Sequence, residues 1–422
     1  MASTTPHRTV LTNARLFDGE KSHGDARFSI DVEGSRITRV ERGIAPQGSG
    51  VDLVDLNGAT VLPGLIDAHF HCNTPSLNVA AADRLRPSHM AQYARKYMED
   101  QLARGFTTLR DAGGADSGLK DAIREGLIQS PRLFTSGLAL SQSGGHGDFR
   151  SGVPSCGCAG YAGSLSMVVD GVDEMRRAVR NQLRQGADQI KLFVSGGVLS
   201  PTDPIWMEQF TDDEVRVAVE EAQRMRTYVM AHALTGQSIR RCAQLGVRSI
   251  EHGFQMDAET AAIVAGSQSY VVTTLLIVVS IASGRLVLPP GALEKAKRVA
   301  DEAIASVEIG QAAGVRMGFG TDLLGALHGQ ELEEFTVRAQ VSGSLATLRA
   351  ATSVNAEIMQ RKDELGCIKP GALADIIVVE GDPVADISIL TRPQEHLRMV
   401  MLDGRIVRNR LASASGRAAE AM

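Results

Sequence analysis

The fold is decided by the stretch Pro63-Gly64-Leu65-Ile66-Asp67-Ala68-His69-Phe70-His71. Residues 64–71 have the apolar character of a buried strand, and the strand ends on two histidines one residue apart. Side chains at positions i and i+2 of a strand point to the same face, so both imidazoles can reach one ion. We therefore interpret this stretch as the first strand of a sheet that carries a metal site at its end.

Seven further strand-like segments follow, with helical patterns between most of them. The eight candidate strands are residues 64–71, 106–111, 132–138, 189–194, 228–233, 249–252, 270–275 and 317–322, and clear helical patterns cover 87–104, 171–185, 211–224 and 293–313. Alternating strands and helices predict a parallel sheet, and eight units over roughly 300 residues fit a (β/α)8 TIM barrel with insertions. A doubly wound open sheet is the alternative, but it does not explain ligand-type residues at nearly every strand end.

Both ends of the chain have the texture of short strands and turns instead. Strand-like segments lie at 9–12, 28–32, 37–40, 375–379 and 397–402, turn-rich separators at 13–19 and 33–35, and a hairpin signal at Asp403-Gly404. We predict an α/β protein in which residues 1–62 and 362–422 form a small composite β-sandwich domain. Residues 63–361 would form the catalytic barrel.

Composition excludes several classes of protein. The 422 residues suit a barrel with a smaller module, and a net charge of −5 without a basic run argues against nucleic-acid binding. We detect no signal peptide. The most apolar run, residues 271–282, is shorter than the roughly 20 residues of a membrane span, so we predict a buried strand that continues into a helix or loop.

The cysteines are few and scattered: Cys72, Cys156, Cys158, Cys242 and Cys367. This argues against a disulfide framework and for a reducing compartment, so we expect a cytoplasmic protein. Cys156 and Cys158 are too close together for half of a standard zinc site, and no partner pair exists.

Metal-capable side chains lie at the ends of five candidate strands. They are His69, His71, Lys191, His232, His252 and Asp322. In a barrel these ends form one rim, and four imidazoles with a carboxylate suit zinc or a similar ion. Each residue alone has a simpler explanation: a hydrogen-bonded histidine, a lysine paired with an acid, or an aspartate that caps a helix. The order of all six together favours a metal site.

This order resembles the amidohydrolase superfamily, whose opening signature is similar to residues 63–71. The similarity is closer to prolidase-like (Xaa-Pro dipeptidase-like) metallocarboxypeptidases and the related ochratoxin-hydrolysing amidohydrolases. It is carried by residues 110–114, 143–148, 186–191, 195–198, 200–204 and 317–325, and residues 369–375 resemble the return into the β-sandwich.

The resemblance implies two divalent metal ions, for which we expect zinc. His69, His71 and Asp322 would bind the more buried ion, and His232 and His252 the second. Lys191 would be N6-carboxylated and bridge both, because a protonated amine beside two dications is disfavoured whereas a carbamate supplies an anion. The alternative is an unmodified lysine paired with an acid.

The resemblance also implies a mechanism. A hydroxide shared by the two ions attacks an amide carbonyl, and Asp322 transfers its proton to the leaving nitrogen. His146, in a glycine-rich loop, would contact the substrate carbonyl and stabilise the oxyanion; loop anchoring is the alternative. His328 lies six residues after Asp322 and is either a pocket residue or a surface residue.

One position departs from the family pattern. Relatives commonly have a substrate-holding tyrosine two residues after the histidine equivalent to His232, and here that residue is Leu234. The change leaves room for a bulkier or more apolar acyl group. Trp206, the only tryptophan, could wall such a pocket; a core or interface role is the alternative.

The function implied is hydrolysis of the amide bond of N-acyl amino acids or dipeptides, which releases the C-terminal amino acid. Ochratoxin A, cleaved to ochratoxin alpha and phenylalanine, is a candidate substrate. A cyclic amide, carbamate or urea hydrolase of the same superfamily is the alternative, since fold does not separate them. A non-catalytic barrel is disfavoured by the complete ligand set. We expect a small-molecule substrate, no nucleic-acid or membrane partner, and a homo-oligomer such as an octamer.

Overall fold

The computed structural model describes residues 8–45, 51–82, 85–150, 164–200 and 203–411. The chain divides into two compact units. The terminal unit comprises Met1–Ile66, Leu102–Thr107 and Ser344–Met422, and the central unit comprises Asp67–Gln101 and Thr108–Gly343. The domain limits given above remain a prediction, because compactness alone does not define a domain.

The strands are numbered in chain order. They are β1 (Arg8–Leu16), β2 (Phe28–Glu33), β3 (Arg36–Arg42), β4 (Asp52–Asp55), β5 (Thr60–Pro63), β6 (Leu65–Phe70), β7 (Phe106–Asp111), β8 (Arg132–Phe134), β9 (Ala139–Ser141), β10 (Ser166–Val168), β11 (Ile190–Phe193), β12 (Val229–Ala233), β13 (Ser249–His252), β14 (Tyr270–Thr273), β15 (Met317–Phe319), β16 (Ile376–Val379), β17 (Leu397–Leu402) and β18 (Arg405–Asn409).

The α-helices are numbered in the same way. They are α1 (Val79–Ala82), α2 (Pro87–Ala103), α3 (Ser117–Arg124), α4 (Val172–Arg184), α5 (Asp212–Arg224), α6 (Gly236–Gln244), α7 (Ala258–Ala265), α8 (Leu275–Ala282), α9 (Ala292–Ala312), α10 (Glu333–Ser342), α11 (Ser344–Arg349), α12 (Asn355–Ile358) and α13 (Pro393–His396). Short 3-10 turns cover Gly325–Leu327 and Ile387–Thr391, and Ala350–Val354 is a π-helical turn.

The terminal unit contains one sheet that uses strands from both ends of the chain. Its strand order is β18-β17-β16-β5-β1-β2-β3, with β4 paired to β1. The predicted hairpin is confirmed: Asp403 and Gly404 both have positive φ, 49° and 73°, as the turn that matches strand twist requires. The arrangement of this sheet as a sandwich stays a prediction.

The turn predicted at residues 13–19 is wrong over its first four residues, because β1 continues to Leu16. The strand passes a bulge between Leu11 and Ala14, where Asn13 adopts a left-handed φ of 58°. The bulge lets one strand change neighbours: residues 9–12 pair with β4 and residues 15–16 pair with β5. The turn-forming residue Asn13 is therefore used within a strand.

The central unit is built on parallel strands. One sheet has the order β10-β9-β11-β12-β13-β14-β15, and β6-β7-β8 form a second. Helices α4 to α9 lie between successive strands from β10 to β15. Alternation of parallel strands and helices is therefore confirmed, while closure of the strands into a barrel stays a prediction.

Sequence signals explain where these helices begin. The Thr211 side chain accepts a hydrogen bond from the backbone amide of Glu214, and the Glu214 carboxylate accepts one from the backbone amide of Thr211, which forms a capping box at the start of α5. Asp257 caps α7 in the same way through the backbone of Thr260. The buried residues between helices and strands are mostly Val, Ile, Leu, Ala and Met, as expected of a chain with 4% aromatic residues.

Two predicted strands are shorter in the structure than in the prediction. The strand predicted at 132–138 ends at Phe134 as β8, and the next strand, β9, begins only at Ala139, after Gly137 with a left-handed φ of 66°. The strand predicted at 317–322 ends at Phe319, after which the backbone turns so that the Asp322 amide donates to the carbonyl of His69 at 2.8 Å.

Two further features complete the fold. The apolar run at 271–282 forms the end of β14 and helix α8, as predicted, and no helix among the described residues is long and apolar enough to span a membrane. Cys72, Cys242 and Cys367 are free thiols, whereas Cys156 and Cys158 lie outside the described residues.

Candidate metal and active site

An open cavity of about 650 Å³ lies at the carboxyl ends of the parallel strands of the central unit. All six predicted metal ligands line it: His69, His71, Lys191, His232, His252 and Asp322. His146 and Leu234 line it as well, and most of the remaining wall is aliphatic or aromatic. The structure thus brings together residues that are up to 253 positions apart in the sequence.

The closest group of candidate ligands surrounds Asp322. Its Oδ1 lies 3.4 Å from Nε2 of His69 and 3.2 Å from Nε2 of His71, and ligand atoms of His69, His252 and Asp322 all lie within 4.8 Å of one another. Burial alone would raise the pKa of Asp322, but the neighbouring histidines outweigh it and lower the pKa. The carboxyl group is therefore held as an anion.

Two of these ligands have a strained backbone. His252 has a φ of 73° and Asp322 a φ of 53°, both in the left-handed region. A residue other than glycine held there costs about 1–3 kcal/mol, and such strain concentrates at functional sites. At Asp322 the conformation turns the carboxylate back toward β6 instead of continuing β15.

Each of the four histidines has one ring nitrogen engaged by the protein. Nδ1 of His69 contacts Glu251 at 2.7 Å, Nδ1 of His71 donates to the Gly113 carbonyl at 3.3 Å, and Nδ1 of His252 contacts Thr274 at 2.8 Å. His232 uses the other nitrogen, since its Nε2 donates to the Gly196 carbonyl at 3.2 Å. One nitrogen of every ring is therefore left for an ion.

The histidine rings form a continuous cluster with His146. The ring of His232 stacks on that of His146 with centroids 4.5 Å apart, and it meets the ring of His252 at 4.6 Å. Burial lowers the pKa of His69, His232 and His252 well below the usual value. Neutral imidazole is the form that binds metal ions.

Lys191 is buried in β11 and faces the same cavity. Burial lowers the pKa of its amine to about 8, against smaller opposing effects of acidic neighbours. Its Nζ lies 5.4 Å from the centre of the Phe193 ring. Within the described part of the chain no carboxylate lies within 4.0 Å of Nζ, so the ion pair of the alternative reading, an unmodified lysine beside an acid, is not formed.

Glu251 and Arg110 support the cluster and were missed in the sequence. Glu251 is fully buried, contacts His69, and pairs with Arg110 at 3.0 Å. Arg110 also donates to the carbonyl of Ala68, next to His69. The sequence does contain a signal for Glu251, because it is a charged residue inside an apolar, strand-like run and immediately precedes His252.

Asp67 also holds the end of β6 in place, through hydrogen bonds to His69 and Thr321. Its Oδ1 accepts from the backbone amides of His69 at 3.0 Å and Thr321 at 3.1 Å, and its Oδ2 accepts from the Thr321 hydroxyl at 2.6 Å. Burial raises the pKa of Asp67 to about 7. The carboxyl group thus joins the end of β6 to the residue that precedes Asp322.

His146 is held by polar groups at its Nδ1 and at its backbone. Nδ1 lies 2.7 Å from Oγ of Ser200 and 3.2 Å from Oδ2 of Asp203, and its backbone amide donates to Gln209 at 3.0 Å. Because Nδ1 is engaged, Nε2 is the polar ring atom left for a ligand in the cavity. Gly197 packs under the ring, where an added Cβ would approach Cε1 to 2.2 Å.

The donor set fits a divalent transition metal. Two ligand atoms about 2.0–2.2 Å from a tetrahedral ion lie roughly 3.4 Å apart, which matches the distances from Asp322 to His69 and His71. Imidazole and carboxylate are ligands that zinc accepts. Comparison with known proteins agrees: the sequence matches the amidohydrolase family over residues 60–407. The chain belongs to the amidohydrolase family.

Members of the amidohydrolase family are typically metal-dependent, and characterised relatives act on amide bonds. Ochratoxinase from Aspergillus niger is 31% identical over 352 residues, which cover 79% of this chain and 73% of that enzyme. A prolidase crystallised with N-methylphosphonate-L-proline is 40% identical with a TM-score of 0.89, over 95% of this chain and 100% of the other. A Xaa-Pro dipeptidase with bound methionine is 30% identical with a TM-score of 0.87 over the same shares. This amidohydrolase is therefore a hydrolase of amide bonds in the prolidase-like and ochratoxinase branch.

Two predicted substrate contacts of this amidohydrolase lie elsewhere. Trp206 is 73% exposed and is not part of the cavity wall, because the chain between β11 and α5 turns it outward. The side chain of His328 is buried, but its ring stacks on Tyr97 with centroids 3.8 Å apart and its Nδ1 contacts Glu331 at 3.1 Å.

Leu234, the position that departs from the family pattern, lines the cavity. Its side chain is buried in the cavity wall, and its amide donates to Oγ of Ser195 at 3.0 Å. Phe254 and the α8 residues Ile277, Val278 and Ile281 extend the same apolar surface.

Proposed function

We propose that the protein is a binuclear metal-dependent amidohydrolase that cleaves N-acyl amino acids or dipeptides and releases the C-terminal amino acid. The observation that carries this proposal is the meeting of six metal-capable side chains with His146 in one cavity. The likeness to ochratoxinase and to prolidases supports the choice of an amide substrate.

We assign the metal ligands from the ring nitrogen that each histidine leaves free of protein contacts. His69, His71 and Asp322 would hold one zinc ion, and His232 and His252 the second. Lys191 would carry a carboxyl group and supply the anion between them, which is supported by its burial in the cavity without an acidic partner in the described residues. When bound, the ions would activate water and polarise the amide carbonyl.

The chain's own residues would move the proton and bind the oxyanion. Asp322 accepts a proton from the attacking water and delivers it to the leaving nitrogen, so that the C–O bond forms as the C–N bond breaks. Nδ1 of His146 faces two oxygen acceptors, so the ring would stabilise the oxyanion as an imidazolium that donates from Nε2 to the carbonyl oxygen. Both groups are fixed before substrate arrives, by the contacts of Asp322 to His71 and of His146 to Asp203.

The apolar wall favours a bulky acyl group. Leu234, Phe254, Ile277 and Ile281 offer no hydrogen bonds from their side chains, and burial of apolar area against them contributes about 25 cal/mol per Å². An aromatic amide such as ochratoxin A, the substrate class named for the Aspergillus niger relative, would use this surface.

We also propose that the parallel strands close into a (β/α)8 barrel and that the terminal-unit sheet forms a β-sandwich. Support for closure comes from the segment after β15: the amides of Thr321 and Asp322 donate to the carbonyl of His69 at the end of β6. The assembly would be a homo-oligomer, which sedimentation of the purified protein measures directly.

The test is a hydrolysis screen on zinc-loaded protein. Dipeptides, N-acyl amino acids and ochratoxin A are offered in parallel, with Asp322→Asn as the blank. We expect release of the C-terminal amino acid from at least one of these classes by the parent protein and none by the blank. If no class is hydrolysed with zinc supplied, the proposed function is wrong.

A specific observation favours a second candidate, a carbamate, urea or cyclic amide hydrolase. Among the described residues that line the cavity, Lys191 is the one lysine or arginine, so a substrate carboxylate would lack a cationic partner there. Methyl esters of the substrate carboxylates distinguish the two. Hydrolysis of the amide at an unchanged rate in the ester would favour the second candidate.

A further inference from the structure

Lys295 binds three backbone carbonyls of a distant loop. It lies in the first turn of α9, and its Nζ donates to the carbonyls of Gly197 at 2.9 Å, Ser200 at 2.7 Å and Asp203 at 2.6 Å. An ammonium group has three protons, so all of them are used. Carbonyl oxygens that converge on one point repel each other, and the positive charge of Lys295 compensates this repulsion.

The same three residues surround His146. Asp203 lies 3.2 Å from Nδ1 of His146 and accepts the backbone amide of Gly197 at 2.9 Å, while Ser200 lies 2.7 Å from the same Nδ1. Gly197 packs under the imidazole ring. Every residue whose carbonyl Lys295 binds therefore also touches His146 through another group.

Lys295 itself does not line the cavity. Its effect on a substrate would pass through the loop alone, since its three protons are directed at the carbonyls. A residue of this kind is expected to change the rate through the orientation of His146, and not through binding of the metal ions or of the apolar acyl group.

We propose that Lys295 is a positioning residue: it holds the loop after β11 in the conformation that directs Nε2 of His146 at the amide carbonyl. This inference rests on the role given to His146 under the proposed function. The loop geometry itself does not depend on that role, so the two can fail separately.

The test compares Lys295→Met with Lys297→Met. Methionine keeps the length of the side chain and removes the charge and the donors, and Lys297 is an exposed lysine two residues further along α9. We expect kcat to fall at least about tenfold in Lys295→Met, with KM changed less than kcat and with zinc content unchanged. Lys297→Met should behave as the parent protein.

Two further readouts separate positioning from general damage. In a His146→Ala background, Lys295→Met should cause no further loss of kcat, because the group that it positions is absent. Lys295→Arg, which keeps the charge and donors, should retain more of kcat than Lys295→Met. Parent-like kcat in Lys295→Met, or an equal loss with and without His146, would overturn the proposal.

Hydrogen exchange tests the loop without any substrate. Backbone amides between Ser195 and Ser200 should exchange faster in Lys295→Met than in Lys297→Met. Unchanged exchange would show that Lys295 does not hold the loop and would overturn the inference by itself. A parent protein that hydrolyses no amide, with faster loop exchange in Lys295→Met, would instead overturn the role of His146 and the proposed function.

Discussion

At the scale of single residues, each candidate ligand histidine is held in one tautomer by a protein group bound to one of its ring nitrogens. Glu251, Gly113, Thr274 and Gly196 each engage one nitrogen of a different ligand histidine, which selects the tautomer and fixes the ring plane. Such partners typically change metal affinity by a factor of about 10–100 when they are removed. The candidate site is therefore shaped by residues that would not bind an ion themselves.

Glu251→Gln tests this support at His69. The amide keeps the size of the side chain but loses the charge that holds Nδ1–H, so we expect zinc affinity to fall about 10–100-fold. Competition with a coloured chelator measures the affinity. Glu221→Gln is the matched control, since Glu221 is also buried and paired with Arg180 but lies on α5, outside the cavity wall. Equal zinc affinity in the two variants would contradict the account.

The loop after β11 and helix α8 are the elements that shape the active site. The loop sets the orientation of His146, and α8 supplies an apolar wall. The start of α8 is fixed by Glu334, which accepts the backbone amides of Leu275 at 3.1 Å and Leu276 at 2.6 Å. In the proposed function the loop would position His146 on the substrate carbonyl and α8 would bind the acyl group, so neither element would bind an ion.

Gly197→Ala tests the loop. A Cβ at this position would lie 2.2 Å from Cε1 of His146, so the ring must move, and a displacement of about 1 Å can reduce the rate by a factor of about 10². We expect kcat to fall by about this factor while zinc content is retained. Gly266→Ala is the control, because its φ is −78° and the nearest contact of its Cβ is 3.5 Å. If kcat of Gly197→Ala equalled that of the parent protein, the position of His146 would not depend on close packing against Gly197.

Ile281→Ala tests the apolar wall. The substitution removes three side-chain carbons, and loss of contact with about two of them, at about 0.8 kcal/mol each, should raise KM for a substrate with a bulky acyl group about tenfold. KM for a glycyl dipeptide should change little. Val279→Ala, on the same helix but outside the cavity wall, is the control. Equal effects on both substrates would place the acyl group elsewhere.

The elements that could be predicted are those whose signals are local. Strands β7, β13 and β17 have the predicted limits, because their apolar runs are bounded by turn or helix signals. The candidate ligands could be found because each is a metal-capable side chain within or just after an apolar, strand-like run. The contacts of Glu251 with His69 and of Lys295 with Gly197 could not, since they join residues 182 and 98 positions apart. The exposure of Trp206 depends on the path of a loop, which composition does not determine.

At the scale of the whole molecule, metal binding should couple to folding. An ion that binds only the folded chain adds about 2.7 kcal/mol to the free energy of unfolding at a concentration 100 times its Kd. We therefore expect zinc to raise the melting temperature of chelator-treated protein and to restore its activity. Magnesium, which prefers oxygen ligands, should do neither. A melting temperature that is indifferent to zinc would contradict a preformed site.

The meeting of six distant side chains around two cations is tested most directly by anomalous diffraction at the zinc edge, on crystals of zinc-loaded protein. We expect two anomalous peaks, one at His69, His71 and Asp322 and one at His232 and His252, with density for a carboxyl group on Lys191 between them. Absence of both peaks, or a Lys191 side chain directed away from the histidines, would contradict it.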